Sequence, residues 1–357
     1  MASIDSFEFL FREVSHLFSC YRDGLAFIGT YYTLKKAYQI SNYVVNGLAN
    51  NVLIQLHSKR DLRVQFGMWA VVTGGSDGIG RAYAQELASR GMNIVLISRG
   101  QKRLYDAASQ IKKMFNVQTC TVAVDFSHTE GTYDKIRKAL GDKEIGVLVN
   151  NVGMMYDFPR YFLDVPAENL SQIIQVNCTA ATLMTHMVLP GMLKRKRGAV
   201  VMMSSGACTQ CTPQMTVYAA TKSYLDYFTK TLQYEYKGKG VIIQCLKPFY
   251  VATKMTEYSE TLSNPNLWIP SASIYARHAV KTLGRVPVST GYWPHAILAW
   301  LTELIPEFLW MWAASGLNTA LRSQAKRRSK HRKTTESDQS MDSPSDHSSF
   351  LSPSTSF

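Results

Sequence analysis

The chain has 357 residues, 46% hydrophobic and 18% charged, enough to bury a substantial core and too apolar for whole-chain disorder. No run of about 18 uncharged apolar residues stands out, which argues against a polytopic membrane protein. A formal charge of +13, from 39 basic and 26 acidic residues, directs attention to acidic partners: nucleic acid, anionic lipid or a phosphorylated cofactor.

Residues 1–66 are aromatic-rich and read as a targeting or membrane-associating segment. Asp5, Glu8 and Glu13 stand where a secretory signal needs a positive region. Residues 67–296 alternate short apolar runs with helical patterns. The candidate strands are Trp69–Thr73, Asn93–Ser98, Thr119–Val124, Gly146–Val149, Ala199–Met203 and Val241–Leu246. Such runs suit strands buried on both faces. The expected fold class is therefore α/β, a Rossmann-type doubly wound parallel sheet. It forms a single catalytic domain with N-terminal and C-terminal extensions, its ligands at the carboxyl ends of the strands.

After the first strand comes Gly74-Gly75-Ser76-Asp77-Gly78-Ile79-Gly80, followed by a helical run. Glycines permit a tight turn and close backbone approach to a pyrophosphate. The helix start offers free N–H groups and a positive dipole end. The second strand ends in Ser98-Arg99, with Lys102 and Arg103 just beyond. No carboxylate occupies the slot that would bind a ribose 2′-hydroxyl. Arg99 thus points to NADP(H) rather than NAD(H).

Ser205 lies just past the fifth candidate strand, where its hydroxyl can hold a carbonyl oxygen that gains charge. Tyr218 and Lys222 are four residues apart, on one helical face. A nearby ammonium lowers a phenol toward the working range of an acid–base catalyst. Asn177 supports the lysine through water and completes a relay. Ser19, Tyr32 and Lys36 repeat the same intervals but precede the glycine-rich turn, so they read as an accidental match. Cys208 and Cys211 form a C-x-x-C pair without flanking histidines; the cysteines read as reduced and no metal site is expected.

Residues 255–296 form the expected substrate lid, where Tyr258, Trp268 and Tyr292 suggest an apolar carbonyl or alcohol substrate. A C-terminal apolar helix is expected over 297–321, either packed on the lid or touching a membrane surface through Trp300, Trp310 and Trp312. Residues 322–357 hold a basic cluster and a disordered Ser-rich tail. No recognition module accompanies that cluster, so no nucleic acid is expected.

The ordered set of TGGSDGIG, Asp125, NNVG at 150–153, Asn177, Ser205, Tyr218, Lys222 and Pro248 with Thr253 resembles the short-chain dehydrogenase/reductase family over roughly residues 67–255. The resemblance implies that Asp125 contacts the adenine and that Asn150, Asn151 and Gly153 support the adenosine pocket. It further implies that Thr253 faces the nicotinamide carboxamide and Lys222 the nicotinamide ribose. Phe249 departs from the family's Pro-Gly and is expected to crowd the nicotinamide end. The flanking segments narrow the resemblance to the branch of 17-beta-hydroxysteroid dehydrogenases and 3-oxoacyl-CoA reductases. Members there can lack the catalytic tyrosine and are then called inactive; Tyr218 is present here. The implied activity interconverts a ketone and a secondary alcohol on a steroid or 3-oxoacyl type of substrate. The alternative is a nucleotide-binding pseudoenzyme acting through protein partners. A homodimer is compatible with the resemblance, which places the protein in the mitochondrion, with the endoplasmic reticulum membrane as the alternative.

Overall fold

A computed structural model of the protein describes residues 2–51 and 61–341. The chain forms two compact units, Met1–His57 and Ser58–Phe357. The first is described as one helix, α1 (Ala2–Asn51), with Phe7, Phe11, Phe18 and Phe27 among its exposed side chains. Ser19, Tyr32 and Lys36 lie on α1, outside the unit that holds the sheet. Among the described residues, no helix is long and apolar enough to cross a membrane.

The second unit winds helices around one sheet. Its elements begin α2 (Leu62–Phe66), β1 (Trp69–Thr73), α3 (Gly78–Ala88), β2 (Asn93–Ser98), α4 (Gln101–Phe115), β3 (Thr119–Ala123), α5 (Thr132–Leu140) and β4 (Ile145–Asn150). They continue α6 (Ala167–Ile174), α7 (Ala180–Arg195), β5 (Gly198–Met203), α8 (Thr216–Glu235), β6 (Val241–Leu246), α9 (Glu260–Ser263) and α10 (Ala272–Thr282). The last are β7 (Val288–Ser289), α11 (Trp293–Leu304) and α12 (Glu307–Met341). The seven strands run in the order β3-β2-β1-β4-β5-β6-β7, every pairing parallel. The expected Rossmann-type sheet is thus present, with β7 added at its edge.

Alternating strand residues feed two cores, one on each face. Val72, Leu96 and Val149 pack with Leu87, Leu104, Ile111 and Tyr275. Val71, Val95 and Leu148 pack with Ile136, Met184, Val188 and Leu225 on the other. Burial on both faces is why these strands read as continuous apolar runs. Strand order reverses between β1 and β4, so the crevice opens at the carboxyl ends of these two strands.

The C-terminal part differs from the single apolar helix expected over 297–321. Pro306 has no N–H to donate and disfavours a helical residue before it. Ile305 is accordingly extended (φ −81°, ψ 126°), which separates α11 from α12. α12 then continues through the basic cluster to Met341. The rest of the expected Ser-rich tail lies outside the described residues.

Candidate active site

A cavity of about 510 Å³ lies along the carboxyl ends of the strands. Its walls include Gly74, Ser76, Asp77, Gly78, Ile79, Arg99, Asp125, Asn151 and Thr253 at one end, and Ser205, Tyr218 and Lys222 further in. Gly75 and Gly80 of the expected cofactor set, and Asn177 of the expected catalytic set, are not on the wall.

The glycine turn has a reason for each of its small residues. Gly74 and Gly78 have φ of +66° and +54°, and a Cβ at Gly74 would stand 2.9 Å from Asn151 Nδ2. A Cβ at Gly80 would overlap the Gly74 carbonyl oxygen and the Asn151 amide. Asn151 Nδ2 donates to the carbonyls of Thr73 (3.0 Å) and Gly74 (3.3 Å), so this side chain braces the turn. Asp77 Oδ1 accepts the Gly78 N–H (2.8 Å) and caps α3. Ser76 Oγ meets Ser98 Oγ at 2.8 Å, tying the turn to β2.

Beyond the tips of β2 and β3, Arg99 lies 3.7 Å from Asp125, whose carboxylate also accepts Ser127 N–H (2.9 Å). Asp125 stays below the ordinary carboxylate range: burial raises it, and the Ser127 hydrogen bonds and Arg99 outweigh that. A turn stripped of Cβ atoms, a helix start beside it and arginines at positions 99 and 103 on the wall fit an extended phosphorylated dinucleotide. Asn150 does not join this group. It is buried, donates to Thr185 Oγ1 (2.9 Å) on α7, and so ties β4 to that helix rather than lining an adenosine pocket.

At the other end, Ser205 Oγ accepts the Ala207 N–H (3.2 Å), and Ser205 shares the cavity wall with Tyr218. Lys222 Nζ donates to the Met203 carbonyl (2.9 Å) and lies 5.6 Å from the Tyr218 ring centroid. The expectation that Lys222 lowers Tyr218 is corrected by burial. Desolvation pushes the phenol up to about 12, against a smaller lowering by Ser205, and pulls the Lys222 ammonium down to about 8.

Asn177 sits in a π-helical turn, Gln175–Thr179, between α6 and α7. Both of its amide hydrogens are engaged, with the Met154 carbonyl and Thr221 Oγ1 (each 2.9 Å), and Oδ1 accepts Met154 N–H (2.7 Å). Its side chain thereby fixes the chain after β4 to α8, and Oδ1 keeps a second lone pair, the acceptor that a water between it and Lys222 would need. Tyr156, which the sequence reading did not single out, does related work. Its hydroxyl accepts Val217 N–H (3.0 Å) in the first turn of α8, where Met215 offers no side-chain cap.

Phe249 does not stand alone either. Its ring lies over Gly206, where a Cβ would approach it to 2.8 Å, and its N–H donates to His295 Nδ1 (3.3 Å). His295 Nε2 therefore carries the hydrogen and donates to the Trp268 carbonyl (3.2 Å). Burial holds this imidazole down at about 4.

The substrate end closes against α12, whose Trp310, Ala314 and Leu317 face the cavity with Met154, Met215 and Tyr258. Asn318 Nδ2 donates to the Pro213 carbonyl (2.8 Å), Arg322 pairs with Asp164 (2.7 Å) and Arg328 donates to the Glu257 carbonyl (2.7 Å). Two members of the basic cluster thus fasten α12 to the substrate loops. Composition hid this, because arginines that dock a helix and arginines left in solvent read alike in a sequence. Lys254 was missed too, although it directly follows Thr253; its Nζ lies 2.7 Å from Asp77.

The short chain dehydrogenase family profile matches residues 68–263. The chain is 47% identical over 325 residues to the Pongo abelii protein named inactive hydroxysteroid dehydrogenase-like protein 1, across 91% of this chain and 98% of that one. It is 44% identical over 268 residues to the very-long-chain 3-oxoacyl-CoA reductase of Rattus norvegicus, across 74% and 84%. Among solved structures, the short-chain dehydrogenase from Sphingobium yanoikuyae in complex with NADPH is 25% identical with a TM-score of 0.55, over 60% of this chain and 83% of that one.

Proposed function

The chain belongs to the short-chain dehydrogenase family, and from that premise we propose that it is an NADP(H)-dependent oxidoreductase interconverting a ketone and a secondary alcohol on an apolar substrate, of steroid or 3-oxoacyl type. The observation that carries this reading is that Ser205, a buried Tyr218 and a buried Lys222 share the wall of one cavity whose other end is the glycine turn.

A nicotinamide dinucleotide, when bound, supplies or accepts the hydride. Gly74, Ser76, Asp77, Gly78, Ile79, Arg99, Asp125, Asn151, Thr253 and Lys222 would hold it, Arg99 favouring the 2′-phosphate. Ala207 N–H occupies one lone pair of Ser205 Oγ, leaving its O–H to hold a substrate oxygen. Tyr218, neutral at pH 7 because burial raises it, gives its Oη proton to that oxygen in reduction and receives one in oxidation. Lys222, charged below about pH 8, stabilises the phenolate left behind. Met154, Met215, Tyr258, Trp310 and Leu317 exclude water and favour an apolar substrate.

The test is NADPH oxidation by the purified protein against panels of ketosteroids, retinoids and 3-oxoacyl thioesters, repeated with Tyr218→Phe. Turnover that survives this substitution would remove Tyr218 from the chemistry. A second reading, a nucleotide-binding pseudoenzyme acting through partners, draws support from the name of the Pongo abelii relative and from Phe249 over Gly206. Tight NADPH binding with no carbonyl compound turned over selects it. The proposal extends to a membrane surface, mitochondrial or else of the endoplasmic reticulum. It is supported by exposed Phe308 and Trp312 on α12 and by the exposed aromatics of α1.

A further inference from the structure

Asp77 is an awkward residue for a phosphate site. Its carboxylate accepts the Gly78 N–H at the start of α3, the place where a helix dipole and free N–H groups would receive an anion. An uncompensated carboxylate there repels the phosphates that the turn is built to cradle. Lys254 Nζ lies 2.7 Å from Asp77 Oδ2, and Arg103 lies 3.9 Å from the same oxygen. Arg103 comes from α4, on the same side of the groove as Arg99. Lys254 comes from the opposite wall, in the single turn Lys254–Thr256 after β6. That turn is fixed by a reciprocal Thr253–Thr256 cap, and the Thr253 methyl would lie 3.5 Å from a Cβ at Gly78. Asp77, Gly78, Thr253 and Lys254 all line the cavity.

We propose that Lys254 and Asp77 form a charge clasp across the dinucleotide groove. Lys254 neutralises Asp77 and so anchors the phosphates common to NADPH and NADH. This rests on the nucleotide-binding part of the function proposed above. Arg99 and Lys254 then divide the work: Arg99 discriminates between the two cofactors, and Lys254 raises affinity for both. The pair joins residues 77 and 254, so it also ties the glycine turn to the base of the substrate lid.

The experiment is titration of full-length protein with NADPH and with NADH, read by cofactor fluorescence, for Lys254→Met, Asp77→Asn and the double variant. Lys254→Met is expected to weaken both cofactors alike, by about three- to tenfold, the size fitting a partly exposed charge pair. Asp77→Asn keeps an acceptor for the Gly78 N–H and binds both at least as tightly as the unmutated protein. The double variant returns to within about twofold of it, because the coupling between the two side chains is what is lost. Unchanged affinity in Lys254→Met overturns the clasp, as does a double variant no better than Lys254→Met. Weakening confined to NADPH overturns it in favour of a 2′-phosphate contact. If the unmutated protein binds neither cofactor, the functional reading falls and the clasp with it, a result distinct from binding that Lys254→Met leaves alone.

Discussion

At the dinucleotide end of the cavity the wall comes mainly from one stretch, Gly74 with Ser76, Asp77, Gly78 and Ile79, and from short segments just beyond β2, β3, β4 and β6. At the substrate end it is gathered from Met154, Met215, Tyr258, Trp310 and Leu317, on segments far apart in the chain. The first end is shaped by backbone: two positive φ angles and positions where a Cβ has no room. The second is shaped by side chains and by how α12 is fastened down. A backbone-built site tolerates almost no substitution and leaves a compact signature. A side-chain-built site tolerates many, and its signature is spread among ordinary apolar residues.

Tyr218 stands at the junction, so its substitution should separate the two ends most sharply. Tyr218→Phe is expected to lower kcat by about 10²–10⁴-fold while NADPH affinity stays within about twofold. Steady-state rates and a fluorescence titration on the same preparation check both. Gly80→Ala should do the reverse at the backbone-built end. The new methyl overlaps the Gly74 carbonyl, and about 10- to 100-fold in affinity for both cofactors should be lost, as overpacking predicts. If NADPH binds Gly80→Ala normally, the turn is not rigid and the contrast between the ends collapses.

Arg99→Asp leaves the turn alone and should change the ratio of NADPH to NADH affinity by about tenfold or more, from the loss of one charge-assisted contact and the gain of repulsion. Equal affinity for both cofactors in the unmutated protein would already defeat it. Ala314→Leu narrows the α12 wall. It should cut kcat/KM for the longest substrates by about tenfold, with shorter ones and NADPH affinity little changed. A uniform loss across substrate lengths would mean that α12 only supports the fold.

A last effect concerns stability rather than binding or rate. Lys222 titrates near 8 in the folded protein against an ordinary 10.5. Between these values the unfolded chain holds a proton that the folded chain has lost, so stability rises with pH there by at most about 1.4 kcal/mol per pH unit. Below 8 both forms are protonated and Lys222 contributes no slope. Lys222→Met should remove its share of the rise, measured by urea denaturation at about pH 8 and about pH 10.

The same contrast explains what the sequence revealed. The six strands between Trp69 and Leu246 were legible because residues buried on both faces leave unbroken apolar runs, and the observed ends shift by one residue at most. β7 was not, because Val288–Ser289 is two residues long and follows Pro287. The glycine turn was legible for its tight spacing. Ser205, Tyr218 and Lys222 were found through their order behind a strand, and they do share the cavity wall. What escaped was pairwise and distant: Lys254 with Asp77, Tyr156 with the start of α8, Arg322 with Asp164. None leaves a local pattern, because each partner is an ordinary residue until the fold brings it close. The titration of Tyr218 escaped for the same reason, since burial is a property of the whole site.

The widened turn at Gln175–Thr179 makes this helix one residue out of step with itself. Each residue of a regular α-helix advances the chain by about 100° and 1.5 Å. Loss of a single codon in this stretch could close the π turn and restore an unbroken helix, good for the backbone taken alone. It would also swing Asn177 by about a quarter turn away from Met154 and Thr221. The reading frame would survive and the sheet would still form, yet the strand-end loop and the helix carrying Tyr218 would no longer be joined through this amide. In this stretch, chain length constrains the protein as tightly as residue identity does.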